Sequence, residues 1–525
     1  MKSLLVGAAL ALFCSPVLAD RVPGSGLYAI WYGRNTDLLK LPFLSGGQAV
    51  TQWRTVEPEE GRFDFSSIDR QLAPLHERGL KATVQINGNR KPLYLFSKVP
   101  YHPDKLSHQV ADKQGTLMFW HPAHAAAHQR LIRAVGTYLK TSRYREAVLG
   151  VRLNFNAFGT EHHHLPKGEA RQASSWTTPP GATPGTDWSS KEVQAYQAMV
   201  FREYIAQISP HAYVFVRNGL PKDIAKEYGE DFASGRLGWF HTSSEAEPRA
   251  GSEWRYQRFH TDCRPGTTIA YAEPWASAWG HHGTKVDDRA CSPPQWNYWR
   301  LLLDLHNGVS FIALYSADLR VAQTGTYRYG KFGQLHDDKE AGVDYQAEFR
   351  LAFEFAARYA GYHASPESSP GAWCAFRGND LVREANGRPE KARKLKLYTG
   401  DYTFLMERLP DTSMALGTIG PEDQRFGGWA RRLKPSGAMT LRLDPTFATS
   451  LAKQRAIVRV VYLGGKESTG TVQCAGQSLQ LKPTTSTRWQ TAAFPIDSWH
   501  GDTLRIAAGE AGLVLHMVEV LRNPE

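Results

Sequence analysis

The sequence lacks the signals that mark several functional classes. No segment after residue 19 contains the ~18 uninterrupted apolar residues of a transmembrane helix, so no membrane span is expected. Zinc-finger spacing and an aromatic-interleaved basic stripe are both missing, so nucleic acid is not an expected partner. A glycine-rich phosphate loop, a Ser-His-Asp order and a cysteine in a nucleophile context are also missing, and no cofactor is expected.

The composition is that of a globular protein. Of 525 residues, 22% are charged and 42% are hydrophobic, with 46 glycines and 30 prolines. These values exclude wholly disordered, collagenous and coiled-coil chains. The length predicts about two to three domains.

The first 19 residues differ in character from the rest. Lys2 precedes an apolar run over 4–13, and Val17 and Ala19 occupy the −3 and −1 positions that signal peptidase accepts. We therefore predict a secretory signal over 1–19 that is cleaved before Asp20. The expected location is the bacterial periplasm or the extracellular space.

The chain is basic. Its formal net charge of +11 falls to +10 when Lys2 leaves with the signal, and the basic residues are scattered among acidic ones. Two interpretations stay open. The basic surface either aids solubility or attracts an anionic partner such as a uronic or sulfated polysaccharide.

Four cysteines remain after the signal is removed, and they allow three pairings. An oxidising compartment favours disulfides. The simplest scheme keeps each bridge within one domain, Cys263–Cys291 and Cys374–Cys474. No pair has close metal-ligand spacing.

Short apolar strands alternate with helical stretches over about 25–362. Eight strands are predicted, over 27–32, 49–53, 81–86, 148–155, 213–217, 237–240, 268–273 and 309–315. Helical patterns lie between and after them, over 66–78, 123–140, 190–208, 295–305 and 343–359. Eight β-then-α units are the number that a (β/α)8 barrel needs, and we predict this fold over 20–364.

The pattern changes after residue 362. The segment 365–371 has the composition of a linker, and short alternating runs follow it. These runs lie at 441–443, 456–462, 471–474, 489–494, 504–507 and 513–520. Turn residues separate them, so we predict an antiparallel β-sandwich over 371–525.

The second predicted strand is followed by a recognisable motif. Residues 53–69 read WRTVEPEEGRFDFSSID. This run resembles the W-x-x-x-E-P-x-x-G-x-F-D-F segment of clan A glycoside hydrolases, particularly the β-galactosidase-like and xylanase-like families, where it follows the second barrel strand. The resemblance implies a barrel whose working residues stand at the C-terminal ends of its strands. Because carboxylates of this segment are structural in those families, Glu57 is not expected to be catalytic.

The seventh predicted strand ends in a carboxylate. Glu273 follows an apolar run and is accompanied by Trp275 and Trp279. This arrangement is similar to the nucleophile position of clan A enzymes, where indole rings stack on the sugar and the carboxylate attacks the anomeric carbon. The segments 296–301 and 308–315 resemble the next helix and strand of the β-galactosidase-like enzymes.

The fourth strand departs from the family pattern. Clan A enzymes end this strand with Asn-Glu, whose Glu is the general acid/base, but here Asn156 is followed by Ala157. The nearest carboxylate is Glu161, in a Gly-Thr-Glu-His run that resembles the displaced Glu loop of some glycosidase-like barrels. Two hypotheses stay open: either Glu161 is the acid/base, or the acid/base has been lost.

The first hypothesis assigns a role to each group. Glu273 is the ionised nucleophile, and Glu161, with a raised pKa, is the acid/base about 5–5.5 Å away. Asn156 binds the sugar 2-hydroxyl. His162, one of three consecutive histidines, binds sugar or orients Glu161. Three adjacent histidines rarely face one ion, so no metal is expected.

Further polar and aromatic residues at strand ends are candidates for lining the sugar site. They are Trp31, Tyr32, Trp53, Asn87, His241 and Tyr315, with Glu245 and Glu247 as reserve carboxylates. The expected substrate is a polysaccharide or oligosaccharide. The alternative is a non-catalytic glycan-binding barrel.

The C-terminal region has a resemblance of its own. Residues 423–432 and 513–520 resemble segments of jelly-roll carbohydrate-binding modules. Two roles stay open for it: it either binds glycan or braces the barrel.

Overall fold

A computed structural model describes most of the chain. The described residues are 21–162, 165–217, 226–241, 246, 256, 259–266, 268–274, 276–281, 292–325, 344–377, 400–417 and 419–522. The predicted signal over 1–19 lies outside them. None of the helices described is long and apolar enough to cross a membrane.

Eight parallel strands close into a barrel, as the alternation of strands and helices predicts. The strands are β1 Gly26–Ile30, β2 Leu44–Gln52, β3 Lys81–Asn87, β4 Val148–Arg152, β5 Tyr213–Arg217, β6 Leu237–His241, β7 Ala270–Ala272 and β8 Phe311–Tyr315. Each strand pairs with the next along the chain, and β8 pairs with β1. All eight lie within or beside the predicted strands.

Helices cover the outside of the barrel. Those described in this region are α1 Trp53–Val56, α2 Ser66–His76, α3 Pro122–Thr141, α4 Ser190–Gln207, α5 Gly229–Ala233, α6 Ala278–His281, α7 Pro293–His306, α8 Ser316–Thr324 and α9 Gln346–Tyr359. In α9, the apolar face of Phe349, Ala352, Phe353 and Ala356 is buried, as its periodicity predicts. A two-stranded hairpin, Tyr101–His102 with Thr116–Leu117, precedes α3.

The barrel interior is filled by side chains rather than left as a pore. Its core contains an aromatic cluster that includes Tyr28, Phe215, Tyr271 and Phe311, with ring centroids 5.3–6.0 Å apart. Inward-facing layers of this kind are typical of (β/α)8 barrels. The cluster closes the barrel below the C-terminal strand ends.

The C-terminal region forms two antiparallel sheets. Its strands are β9 Gly371–Ala375, β10 Tyr402–Phe404, β11 Met406–Arg408, β12 Met414–Gly417, β13 Trp429–Leu433, β14 Ala438–Leu443, β15 Ala456–Leu463, β16 Gly470–Cys474, β17 Gln477–Leu481, β18 Trp489–Ile496, β19 Thr503–Ala508 and β20 Leu513–Arg522, with one helix, α10 Pro445–Leu451. In the described chain, one sheet has the order β10-β9-β20-β13-β12, with β15 pairing β20 and β18 pairing β15. The other has the order β11-β14-β19-β16-β17.

The segment 365–371 is an ordered connection. Tyr362–Ala364 and Pro366–Ser368 form short 3-10 turns, and Ser369 is fully buried. Arg522, at the end of β20, donates hydrogen bonds to the carbonyl oxygens of Glu367 and Ser369. These contacts attach the connection to the sandwich.

The sandwich packs directly on the barrel through α7. Every residue of this helix is buried, because the barrel strands lie on one side of it and the sandwich lies on the other. Trp299 donates from Nε1 to the carbonyl of Gly427 at 2.5 Å, and its ring packs on Trp429, Tyr402 and His516. One continuous core of buried residues therefore spans both domains.

The predicted Cys374–Cys474 disulfide is wrong in this structure, because both cysteines are free thiols. Cys374 lies on β9 and Cys474 on β16, which belong to the two facing sheets. Facing sheets pack about 10 Å apart, whereas a disulfide needs Cα atoms about 4.4–6.8 Å apart. Cys263 is also a free, buried thiol, and its predicted partner Cys291 lies outside the described residues.

Substitution of Trp299 tests the shared core. We expect Trp299→Ala to lower the free energy of unfolding by about 3–5 kcal/mol, because a large buried side chain is lost at the domain junction. Trp31→Ala is the matched control, since Trp31 is 56% exposed. Chemical denaturation measures both variants. Equal, small effects would contradict a shared core.

Thiol reactivity tests the corrected cysteine assignment. Burial raises the pKa of Cys374 well above its usual value and the pKa of Cys474 to about 11. Both thiols should therefore resist an aromatic disulfide reagent in the native protein and react once it unfolds. Peptide mapping without reductant measures this. Recovery of a linked Cys374–Cys474 peptide would contradict the free-thiol assignment and support the disulfide.

Candidate functional site

Polar and charged side chains gather inside the barrel at its C-terminal end. Gln48 comes from β2, Arg152 from the end of β4, Arg217 from the end of β5 and Glu273 from the residue after β7. Parallel strands bring their carboxyl ends to one edge, so residues far apart in sequence meet there. This region is the candidate site.

Glu273 is held by two donors. Its Oε2 accepts hydrogen bonds from Gln48 Nε2 at 3.0 Å and from Arg152 Nη2 at 2.5 Å. Its backbone N–H donates to the carbonyl of His241 at 2.9 Å, which continues the pairing of β6 with β7. Both the backbone and the carboxylate of Glu273 are therefore held in place.

Arg152 is a buried cation at the centre of the site. Its guanidinium carbon lies 3.7 Å from the centroid of the Phe240 ring and 5.7 Å from that of Tyr271. Burial acts to lower the pKa of Arg152, but the carboxylates of Glu273 and Glu161 outweigh it and raise that pKa above its usual value. Both carboxylates thus stabilise the same guanidinium.

Glu161 is buried among cations. Its Oε1 accepts a hydrogen bond from Arg217 Nη1 at 2.8 Å and lies 3.5 Å from His162 Nδ1. Burial alone would raise the pKa of Glu161, but Arg152, His162 and Arg217 together lower it below its usual value. The expectation of a raised pKa is therefore wrong for the free protein, because these neighbours outweigh the effect of burial on the carboxyl.

The loop after β4 returns Glu161 to the strand ends. Gly88 N–H donates to the carbonyl of Gly159 at 2.6 Å, and Asn156 N–H donates to that of Thr160 at 3.2 Å. Asn156 itself has a left-handed φ of 49°, a conformation that asparagine tolerates better than most residues. The chain therefore turns back on itself between 156 and 161, and a carboxylate beyond the strand end reaches Arg217.

Asn156 lies under this loop rather than at its surface. It is buried, and its Nδ2 is 3.2 Å from His128 Nε2. Its Oδ1 lies so close to Gly88 that a Cβ there would be 2.5 Å away. The predicted contact of Asn156 with a sugar hydroxyl does not fit this position, since the side chain is enclosed by α3 and the end of β3.

His162 is the described member of the histidine run, because His163 and His164 lie outside the described residues. Its Nδ1 is 2.8 Å from Gln109 Nε2 and 2.9 Å from Thr160 Oγ1, and its ring is partly exposed. It therefore stands beside Glu161. No group of metal-ligating side chains occurs within the described ranges.

Among the aromatic candidates that the structure describes, Trp31 is the one open to solvent. It follows β1 directly, is 56% exposed and has φ 59°. A positive φ is rare for a bulky side chain, and such backbone strain is concentrated at functional sites. Trp31 is thus placed to meet a ligand that enters at the strand ends.

The remaining aromatic candidates are packed inside the protein or lie outside the described residues. Trp53 is fully buried, and its Nε1 donates to Glu57 at 2.7 Å. His241 packs on Tyr256 and Phe259, and Trp279 stacks on Phe349 of α9. Protein therefore encloses the rings of Trp53 and His241 in this structure. Tyr315 is half-buried at the end of β8, while Trp275, Glu245 and Glu247 lie outside the described residues.

Glu57 has the structural role that the motif predicts. Its carboxylate accepts from Trp53 Nε1, from Tyr94 Oη at 2.9 Å and from Gly61 N–H at 3.0 Å. These bonds close the turn that follows β2. The other two strand-end candidates also support the fold, since Tyr32 donates to the Gln71 carbonyl and Asn87 accepts from Gln85.

The sequence prediction missed the three residues that hold the carboxylates, Gln48, Arg152 and Arg217. A signal exists for the two arginines, since each ends an otherwise apolar strand, but not for Gln48, whose strand contains other polar residues. It also missed the support behind the site. His128 of α3 is buried against Tyr196, and burial lowers the pKa of His128 to about 3, so its ring is neutral.

Stability against pH tests the charge arrangement at Glu161. Its pKa in the folded state is lower than in the unfolded chain, so the stabilisation is present above the unfolded pKa of about 4.3 and is lost as the pH falls through the folded value. We expect Glu161→Gln to lower the free energy of unfolding by about 3 kcal/mol near pH 7. The difference from the unsubstituted protein should shrink below pH ~4.3.

The control for this variant is Glu407→Gln, which removes an exposed partner of Arg442 and should change stability by about 0.5 kcal/mol or less. Denaturant unfolding at several pH values measures both. A pH-independent effect of Glu161→Gln would show that its ionised form is not the stabilising one.

Comparison with known proteins supports the barrel's family resemblance over part of its length. Residues 45–154 match a family model of glycoside hydrolase family 42, described as Beta-galactosidase. The matched segment runs from β2 to the loop after β4 and contains Gln48 and Arg152. No curated protein matches the chain.

Several solved structures share a local similarity with the chain. A family 35 carbohydrate-binding module from Cellvibrio japonicus is 19% identical, with a TM-score of 0.15, and the match covers 17% of this chain and 69% of that one. A family 35 module from Clostridium thermocellum is 12% identical, with a TM-score of 0.17, covering 22% and 92%. An exo-beta-1,3-galactanase from Phanerochaete chrysosporium is 16% identical, with a TM-score of 0.16, covering 22% and 27%.

The family match confirms the resemblance inferred from the 53–69 motif, over the part of the barrel that it spans. The chain therefore joins a closed parallel barrel, part of which matches a glycoside hydrolase family, to an antiparallel C-terminal sandwich.

Proposed function

We propose that this protein is a glycoside hydrolase that cleaves O-glycosidic bonds of an oligosaccharide or polysaccharide with retention of anomeric configuration. One observation carries the proposal: two carboxylates stand at the strand ends, each paired with an arginine. Glu273, after β7, pairs with Arg152 of β4, and Glu161, in the loop after β4, pairs with Arg217 of the neighbouring β5. Retaining hydrolysis needs two carboxyl groups on one sugar site. The family match over β2 to β4 supports the same reaction class.

Glu273 is the nucleophile in this proposal. Gln48 and Arg152 both donate to Oε2, so we assign Oε1 to the attack on the anomeric carbon. The attack forms a covalent glycosyl-enzyme, and the bond to the leaving oxygen breaks. Arg152 holds the carboxylate in its orientation before the attack.

Glu161 is the acid/base. In the first step its protonated carboxyl gives a proton to the leaving oxygen, and in the second its carboxylate takes a proton from the attacking water. In the free protein, the neighbours of Glu161 lower its pKa and so favour the carboxylate form that acts as the base in the second step. The first step requires that the carboxyl gain a proton once substrate is bound.

The substrate and the cellular location follow from the sequence arguments. The predicted signal over 1–19 places the enzyme in the periplasm or outside the cell, where its substrates are polysaccharides, including those of the producing cell. Trp31 at the mouth of the barrel offers an exposed indole for a sugar ring. The sandwich supports the barrel wall through Trp299.

A second function is a glycan-binding barrel without hydrolytic activity. Two observations favour it: Ala157 stands where related enzymes have their acid/base, and Glu161 is held ionised by Arg152, His162 and Arg217. Such a protein would bind oligosaccharides at the same strand ends.

Two substitutions separate the roles of the carboxylates. Glu273→Ala should abolish turnover of every glycoside, because no glycosyl-enzyme forms. Glu161→Ala should slow substrates with poor leaving groups by about 10²–10⁴-fold, spare the first step for 4-nitrophenyl glycosides, and recover rate with added azide. Glu146→Gln, an exposed carboxylate just before β4 at the opposite end of the barrel, is the control and should keep full activity.

The measurements are reducing-end release from a panel of polysaccharides and NMR of the first-formed anomer. Release of the retained anomer, lost in Glu273→Ala, supports the proposal. An inverted product rejects the double displacement. Oligosaccharide binding by calorimetry with no reducing-end release from any glycan would favour the non-hydrolytic barrel.

A further inference from the structure

Two arginines and two carboxylates form a compact cluster at the site. We call Arg152, Glu161, Arg217 and Glu273 the four-charge cluster. Arg152 pairs with Glu273, Arg217 pairs with Glu161 at 2.8 Å, and Arg152 also stabilises Glu161. The formal charges cancel, so a neutral sugar that enters leaves every pair intact.

The two arginines differ in their exposure to solvent. The Arg152 side chain is 6% exposed and lies on the Phe240 ring, which holds it in place. The Arg217 side chain is 23% exposed and ends its strand at the rim of the barrel. Arg217 is therefore the member of the cluster that an incoming ligand reaches without disturbing the barrel interior.

We propose that Arg217 recognises the carboxylate of a uronic acid residue in the substrate, and that this contact draws Arg217 away from Glu161. The planar guanidinium suits a carboxylate, which it binds through two parallel hydrogen bonds. The net charge of +11 also favours encounter with a polyanionic glycan. This inference rests on the proposed glycoside hydrolase function and names its substrate class.

When Arg217 exchanges Glu161 for the uronate carboxylate, Glu161 can take up the proton that the first step of hydrolysis requires. The charged and titratable groups that face Glu161 in the described chain are Arg152 from β4, Arg217 from β5 and His162 from its own loop. When the uronate carboxylate takes Arg217, Glu161 loses its closest cation and gains a neighbouring anion. Both changes raise its pKa, so the carboxyl accepts a proton from water. That proton then passes to the leaving oxygen as the glycosidic bond breaks. An anionic sugar thus activates its own hydrolysis, and a neutral sugar does not.

Matched substrates test the inference. Phenyl β-D-glucuronide and phenyl β-D-glucoside differ only at C6, as do phenyl β-D-galacturonide and phenyl β-D-galactoside, and phenol is a leaving group that needs acid assistance. We expect the uronides to have the higher kcat/KM. Arg217→Met should lower kcat/KM for the uronides by about 30-fold or more. For the neutral glycosides it should not lower kcat/KM but raise it, because Glu161 loses the cation that lowers its pKa. Arg217→Lys should restore part of the loss.

The pH dependence provides a readout that a structural role would not change. The fall of kcat/KM at high pH gives the pKa of the catalytic acid in the free enzyme. The fall of kcat at high pH gives the pKa of the same group in the enzyme–substrate complex. With uronides, we expect the fall of kcat to lie at higher pH than that of kcat/KM. In Arg217→Met the two falls should coincide, because the cation is already gone. Arg133→Met, whose guanidinium pairs with Glu203 on the outer helices, should behave as the unsubstituted protein.

The outcomes separate this inference from the proposed function. Equal cleavage of uronides and neutral glycosides, with Arg217→Met lowering both equally, overturns the inference and leaves the glycosidase intact. If no phenyl glycoside is cleaved, calorimetry with the same four compounds tests whether Arg217 binds the uronate carboxylate. Uronide binding that Arg217→Met abolishes supports Arg217 as the carboxylate site in a non-hydrolytic barrel, whereas equal binding of the neutral compounds overturns it. If Arg217→Met fails to fold, Arg217→Lys and the unsubstituted protein still give the comparison.

Discussion

Arg152 is a buried cation on which the arrangement of the site depends. Removing a guanidinium from water costs several kcal/mol unless anions and hydrogen bonds compensate for it. Here the compensation comes from Glu273, from Glu161 and from the face of the Phe240 ring. Two carboxylates would repel one another at the mouth of a barrel if no cation lay beside them. Arg152 therefore explains how both groups are accommodated in one small site.

The loop after β4 brings one of the two carboxylates to the site by reversing its direction. Its carboxylate stands five residues beyond Asn156, so the loop must fold back to bring Glu161 to Arg217 at the strand ends. The reversal needs a left-handed residue at 156 and the close approach of Gly88 to Asn156. A buried support holds this geometry, since His128 contacts both Asn156 and Tyr196. The same reversal encloses Asn156, which is why this residue packs inside the protein.

The sandwich contributes to the site indirectly. It covers α7, and α7 lies between it and the barrel strands, so the barrel wall on that side depends on the C-terminal domain. Trp299 and the aromatic rings around it make this contact apolar and extensive. The two domains therefore share one core, although each has its own sheet topology. This arrangement supports the bracing role for the sandwich.

The amino-acid sequence by itself determined the eight barrel strands, the main helices and the change to antiparallel sheets, because periodicity and turn residues act within a few neighbours. Short or fully buried strands such as β9 and β10 escaped prediction, since they show no alternation. The carboxylates Glu161 and Glu273 also follow from strand ends and motifs. Their partners do not, because Arg152 and Glu273 stand 121 positions apart and Arg217 and Glu161 stand 56 apart. Only the closed barrel brings such residues together. In the same way, only the packing around α1 encloses Trp53, and only the separation of the two facing sheets keeps Cys374 and Cys474 apart.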